Sequence, residues 1–157
     1  MSAKSRSSSR VGSAKKISLS PESKRVSKQI QNIVVRLEPS QEWNKRVQAL
    51  ECLPDIITTI TSLSSSAQDE CNPALIKLAS ALAKQLVDLR SEVTGCAFET
   101  LINLCEQLNF NRPFRTIVPQ LLEQVGSTNS VIRNQARQSV SRCMGYVLNI
   151  CIYTYNP

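Results

Sequence analysis

One spacing constrains this chain more than any other feature. Arg46, Arg90 and Arg133 lie 44 and 43 residues apart, inside the window of roughly 40–47 residues that a two-helix solenoid repeat occupies. Aligning the chain on them tests the spacing. Three positions on stand Ala49, Val93 and Ala136, and seven on stand Leu53, Ala97 and Val140. Eleven on stand Ile57, Leu101 and Met144, and fourteen on stand Ile60, Leu104 and Val147. All twelve are apolar in a chain that is 41% hydrophobic, and their steps of 4, 4 and 3 draw one stripe down a helix.

Each striped helix has a partner before it. The spacing predicts pairs at 27–38 and 41–63, 73–86 and 89–108, and 113–125 and 130–152. Ile30, Ile33, Val34 and Leu37 supply the apolar face of the first helix; Pro39 stops it, and Ser40 can cap the next. Asn72-Pro73 reads as a cap followed by Pro at the first helical position. Asp88 can cap the helix carrying Arg90, Gly126 ends the fifth helix, and Asn129 or Ser130 can start the sixth. Pro54 should kink or divide the second helix near Cys52-Leu53, and Pro119 should bend the fifth. The expected fold is all-α: a short right-handed α-solenoid of about three HEAT- or armadillo-like helical pairs behind a disordered basic N-terminal tail. A four-helix bundle with extra helices is the alternative.

Composition excludes most chemistry. The chain has no histidine, so it holds no Ser-His-Asp triad, Cys-His pair or His-ligated metal. Its four glycines form neither GxGxxG nor GxxxxGK[ST]. The six cysteines (Cys52, Cys71, Cys96, Cys105, Cys143 and Cys151) contain no CxxC pair; Cys52, Cys96, Cys105 and Cys143 lie in apolar periodic stretches, where cysteine acts as a small hydrophobe. A reduced intracellular chain with no cofactor, no metal and no catalytic residue is expected. No apolar stretch near the N-terminus suggests a secretory signal, and no run of about 18 apolar residues suggests membrane insertion. Residues 1–21 share the Ser, Arg and acid-free character of mitochondrial presequences but have little apolar face.

The net charge of +7 is uneven. Residues 1–28 carry eight Lys or Arg against Glu22 alone, while the remaining 129 carry eleven basic and eleven acidic side chains. Ten of those first 28 residues are serine. Such a segment buries too little to offset its ordering entropy, so 1–28 reads as a disordered tail and 29–157 as the folded domain. The tail is either a solubilising linker or a salt-sensitive tether to an acidic surface, tunable by phosphate on Ser20-Pro21 or on serines that follow basic residues.

In a solenoid the turns inside successive pairs line up along one edge. Here they are Gln41 to Arg46, Val87 to Arg90 and Ser127 to Arg133, each with an apolar residue near its tip and an arginine soon after. The single tryptophan, Trp43, stands in the first, beside basic residues, as binding hot spots do. Trp43 can equally staple the turn to the core, and Arg90 and Arg133 can equally bond to a neighbouring repeat.

The segment Glu42-Trp43-Asn44-Lys45-Arg46-Val47-Gln48-Ala49-Leu50-Glu51 resembles the opening of a TOG domain. Asp88-Leu89-Arg90-Ser91-Glu92-Val93, followed by Leu101 to Leu104, is similar to the second repeat of the CLASP group of TOG proteins. Ile117-Val118-Pro119 and Val131-Ile132-Arg133-Asn134-Gln135-Ala136 resemble the general HEAT consensus. The resemblance covers roughly 27–147, or three of the six repeats of a full TOG array, and implies a partial domain. It also implies a function. TOG domains are HEAT paddles whose turns dock on the αβ-tubulin dimer, and CLASP members favour microtubule rescue and pausing without hydrolysing anything themselves. By that resemblance Trp43 would be the apolar anchor, with Lys45 and Arg46 beside it on an acidic tubulin surface. Leu89, Arg90, Asn129, Val131 and Arg133 would extend the footprint. The implied partner is the tubulin dimer or the microtubule lattice, and the implied location is the cytoplasm and its microtubules, the mitotic spindle included. A HEAT adaptor that binds another protein by its concave helical face is the alternative function. Specific nucleic-acid binding is not expected, because the folded part lacks an aromatic-basic patch.

Overall fold

The computed structural model describes residues 19–108 and 110–155. Among them are eight α-helices and no strand: α1 Pro21–Arg36, α2 Trp43–Glu51, α3 Leu53–Thr61, α4 Ser65–Glu70, α5 Asn72–Leu86, α6 Ser91–Gln107, α7 Asn111–Val125 and α8 Ser130–Tyr155. They stack in two layers. In the first, α1 packs on α5 and α5 on α7; in the second, α2 and α3 pack on α6 and α6 on α8. Each repeat therefore touches the next one along, and the fold is an all-α solenoid rather than a bundle. No helix among the described residues is long and apolar enough to cross a membrane.

The stripe that defined the repeats is the core. Ala49, Leu53, Ile57 and Ile60, then Val93, Ala97, Leu101 and Leu104, then Ala136 are all buried. Val140 is half-buried and Met144 is exposed, while the Val147 side chain lies outside the described residues. The stripe runs out for a geometric reason. Cys143, one residue before Met144, is fully buried, so at this level Cys143 and not Met144 carries the buried face of α8. The first layer adds Val26, Ile30, Ile33 and Leu37 of α1, Leu75, Leu78, Leu82 and Leu86 of α5, and Phe114, Ile117 and Leu121 of α7.

The structure moves one boundary. Helix α1 begins at Pro21, so residues 21–28 belong to the fold and not to the tail. Ser20 caps it, its hydroxyl oxygen accepting the Ser23 N–H at 3.2 Å, with Pro21 and Glu22 in the first turn. Ser23 and Val26 are buried. Serine count and charge hid this turn, because only two of its side chains need to pack. The tail reading for residues 1–18, and with it most of the presequence comparison, lies outside the described residues.

Three further details differ from, or sharpen, the expected pattern. Pro54 divides the long second helix: α2 ends at Glu51 and α3 starts at Leu53, with the proline in its first turn, where no N–H is needed. Helix α4, between the first and second predicted pairs, forms because Ser64 caps it and its buried Ala67 and the following Cys71 face the core. Helix α6 begins at Ser91 with Arg90 as N-cap residue, so Asp88 organises the turn instead of capping the helix. Gly126 does end α7, which runs through Pro119. Of the cysteines, Cys71, Cys105 and Cys143 are buried and Cys96 is half-buried, whereas Cys52 is exposed at the α2–α3 break. Cys151 and the side chains of the apolar stretch 146–155 lie outside the described residues.

Candidate binding ridge

Chain connectivity places the α1–α2, α5–α6 and α7–α8 turns on the same edge of the two-layer stack. Trp43 opens α2 and is 39% exposed, the rest of its surface being covered by the protein. With Pro39, Ser40, Gln41, Glu42 and Asn44 it lines an open cleft of about 490 Å³. The one cleft residue from the next repeat is Arg90, which is exposed. A flat ring and a guanidinium are thus set in one recess by two consecutive turns, a pairing that suits apolar and anionic partner groups.

The Arg90 backbone is held from beneath. Its N–H donates to Asp88 Oδ1 at 2.9 Å, and the Thr94 hydroxyl donates to the Asp88 carbonyl at 2.9 Å. On the other carboxylate oxygen of Asp88 sits Arg46, at 2.6 Å. Partial burial pushes the Asp88 carboxyl up, but the Arg46 hydrogen bond, the Arg90 N–H and the two arginine charges outweigh it and hold the group below its ordinary value.

Arg46 is therefore corrected as a partner contact. It is 3% exposed, and its Nη1 also donates to Gln85 Oε1 at 2.8 Å. Gln85 in turn donates to the Leu37 carbonyl at the end of α1, at 2.8 Å. This chain of polar groups ties α1, α2, α5 and the second turn together under the cleft. The arginine cannot reach a partner without abandoning it.

The other residues singled out from the sequence divide. Lys45 is exposed and pairs with Glu42 at 3.3 Å, a contact that solvent screens. Leu89 is 101% exposed and Val131 60%, each at the tip of its own turn and neither lining the Trp43 cleft. Asn129 caps α8, its Oδ1 accepting the N–H groups of Val131 at 3.0 Å and Ile132 at 3.4 Å. Arg133 donates to the Ser127 carbonyl at 2.8 Å, bracing its own turn rather than a neighbouring repeat. Sequence reasoning placed Gln41 and Val87 in the ridge turns but missed Pro39 and Ser40 as part of the cleft wall. The Pro-Ser-Gln turn composition was the only available signal for that wall.

Residues 26–148 match the family described as CLASP N terminal, over well more than half of the chain. The chain belongs to the CLASP N-terminal family. Its two-layer helical array is a CLASP-type HEAT-like domain, and all three turns of the ridge lie within the matched residues. No curated protein is significantly similar to the chain. Among solved structures, the crystal structure of an engineered protein from the Northeast Structural Genomics Consortium is 17% identical, covering 76% of this chain and 67% of that one. Its TM-score of 0.35 is too low to bear on this CLASP-type fold.

Proposed function

We propose that the chain is a non-enzymatic module that binds tubulin, as the free dimer or within the microtubule lattice, and regulates microtubule dynamics. What carries this reading is that all three turns of one edge expose an apolar residue (Trp43, Leu89 and Val131), with Arg90 reaching the Trp43 cleft from the next repeat. Apolar anchors with a basic flank suit a protein surface that is acidic and partly apolar. Membership in a CLASP family supports tubulin as that surface and a cytoskeletal location, the spindle among the possible sites. The contact residues in this reading are Trp43, Lys45, Leu89, Arg90 and Val131, while Arg46, Asn129 and Arg133 shape the turns that present them. The basic residues of the tail add attraction to acidic tubulin surfaces. Neither a nucleic acid nor a membrane is part of the reading.

Co-sedimentation of the whole chain with microtubules, with gel filtration against free tubulin in parallel, tests it. The wild type should bind, and Trp43→Ala should weaken binding about thirtyfold while remaining helical, the loss of one hot-spot anchor. A folded wild type that binds neither form at low salt would move the adaptor function, through the concave helical face, to first place.

A further inference from the structure

The Ser20-Pro21 pair lies outside the ridge and plays no part in the proposed binding. We propose that Ser20 is a phosphoacceptor for a proline-directed protein kinase, and that its phosphorylation unlatches α4 from α1 by evicting the Glu70 carboxylate from the N-terminus of α1.

The latch is a small set of contacts. Glu70, the last residue of α4, accepts the backbone N–H of Ser20 at 2.8 Å and the hydroxyl of Ser23 on the same oxygen, Oε2. The contact spans about fifty positions of sequence, and α4 otherwise touches α1 lightly. Those two hydrogen bonds, aided by the charge of Lys24, hold the Glu70 carboxyl below its ordinary value, so it is ionised at neutral pH. A second anion set among these donors would face a fixed negative charge.

Ser20 is suited to receive one. It is followed by proline, which offers no N–H and so fits a kinase pocket that requires none. Its backbone is already extended, at φ −60 and ψ 151, the conformation in which a substrate threads a kinase cleft. Leu19, Pro21 and Glu22 around it are exposed, and Ser20 itself is half-buried. Transfer breaks the terminal P–O bond of a nucleoside triphosphate, which leaves as the diphosphate, and forms a P–O bond to Ser20 Oγ. The hydroxyl proton goes to solvent.

The product carries a charge of about −1.5 to −2 where a hydroxyl stood. A phosphate at a helix N-terminus is favourable for that helix, and Lys24 and Arg25 follow in the next turn. It would compete with Glu70 for the Ser23 hydroxyl and the Ser20 N–H. Glu70 is left facing a like charge without its donors, so α1 persists while α4 comes away from it.

The test uses the whole chain, a proline-directed kinase with ATP, and the Ser20→Ala and Glu70→Gln variants. Mass spectrometry should find phosphate on Ser20 and none there in Ser20→Ala. Hydrogen exchange of the Gln68 and Cys71 amides should then quicken about tenfold in the phosphorylated chain, as local opening does, with α1 still protected. In phosphorylated Glu70→Gln the quickening should vanish, because the amide can donate to the phosphate. The inference is overturned if Ser20 is not modified while a peptide spanning it is. It is equally overturned if phosphate leaves α4 exchange unchanged, or quickens it as much in Glu70→Gln.

Discussion

Arg46 and Arg90 occupy the same register of consecutive repeats, yet one is buried and the other faces solvent. The difference lies in what stands opposite. Arg46 meets Gln85 and Asp88 from the following repeat, and so spends its charge inside the molecule. Removing one member of such a network strands the rest, so Arg46→Ala should lower unfolding free energy by roughly 3 kcal/mol, measured by urea denaturation. Leu89 sits at the opposite extreme. Since nothing covers it, Leu89→Glu should change stability by less than about 0.5 kcal/mol. The same change should weaken microtubule binding in sedimentation, because it puts a negative charge on the ridge. A Leu89→Glu variant that bound as the wild type does would remove the second turn from the proposed contact.

At the scale of elements, the ends of helices decide how the ridge is held. Asn129 caps α8 through two backbone N–H groups, so Asn129→Ala should cost about 1 kcal/mol and Asn129→Asp very little, read as a change in thermal midpoint. The α5–α6 turn depends on an ionised Asp88. Its folded pKa is lowered, so the stability it contributes is fully present above the unfolded carboxylate value of about 4 and lost as pH falls through the lower folded value. Asp88→Asn should therefore be less stable than the wild type at pH 7, with the gap narrowing in acid titrations below about pH 4. A gap that stayed constant across that window would mean that Asp88 acts through shape and not charge.

Over the whole molecule, the net positive charge is concentrated at the start of the sequence. Residues 1–18 hold five basic side chains and no acid, which leaves +2 of the total +7 for residues 19–157. If the tail tethers the ridge to an acidic partner, affinity should fall steeply as salt rises, and deletion of residues 1–18 should flatten that dependence. Equal salt slopes with and without these residues would assign the electrostatics to the ridge itself. The solenoid, for its part, is held by contacts between neighbours, so each turn keeps its place on the edge as long as its own repeat stacks.

The sequence by itself determined the repeat. Its period, the stripe from Ala49 to Leu104, the break at Pro54, the Gly126 stop and the Asn129 cap are local or periodic signals, written in residues a turn or a register apart. The exposed Trp43 and Leu89 were also legible as candidates, since each stands at a turn tip. What only the tertiary structure decided were matters of distant company. Arg46 is buried because residues 39 and 42 positions away face it. The start of α1 is docked on the rest of the fold because Glu70, 50 positions from Ser20, binds the Ser20 N–H. Arg90 shares a cleft with Trp43 because two repeats stack. Burial and pairing are set by whatever the fold brings opposite a side chain, and a pattern of near neighbours carries no record of that.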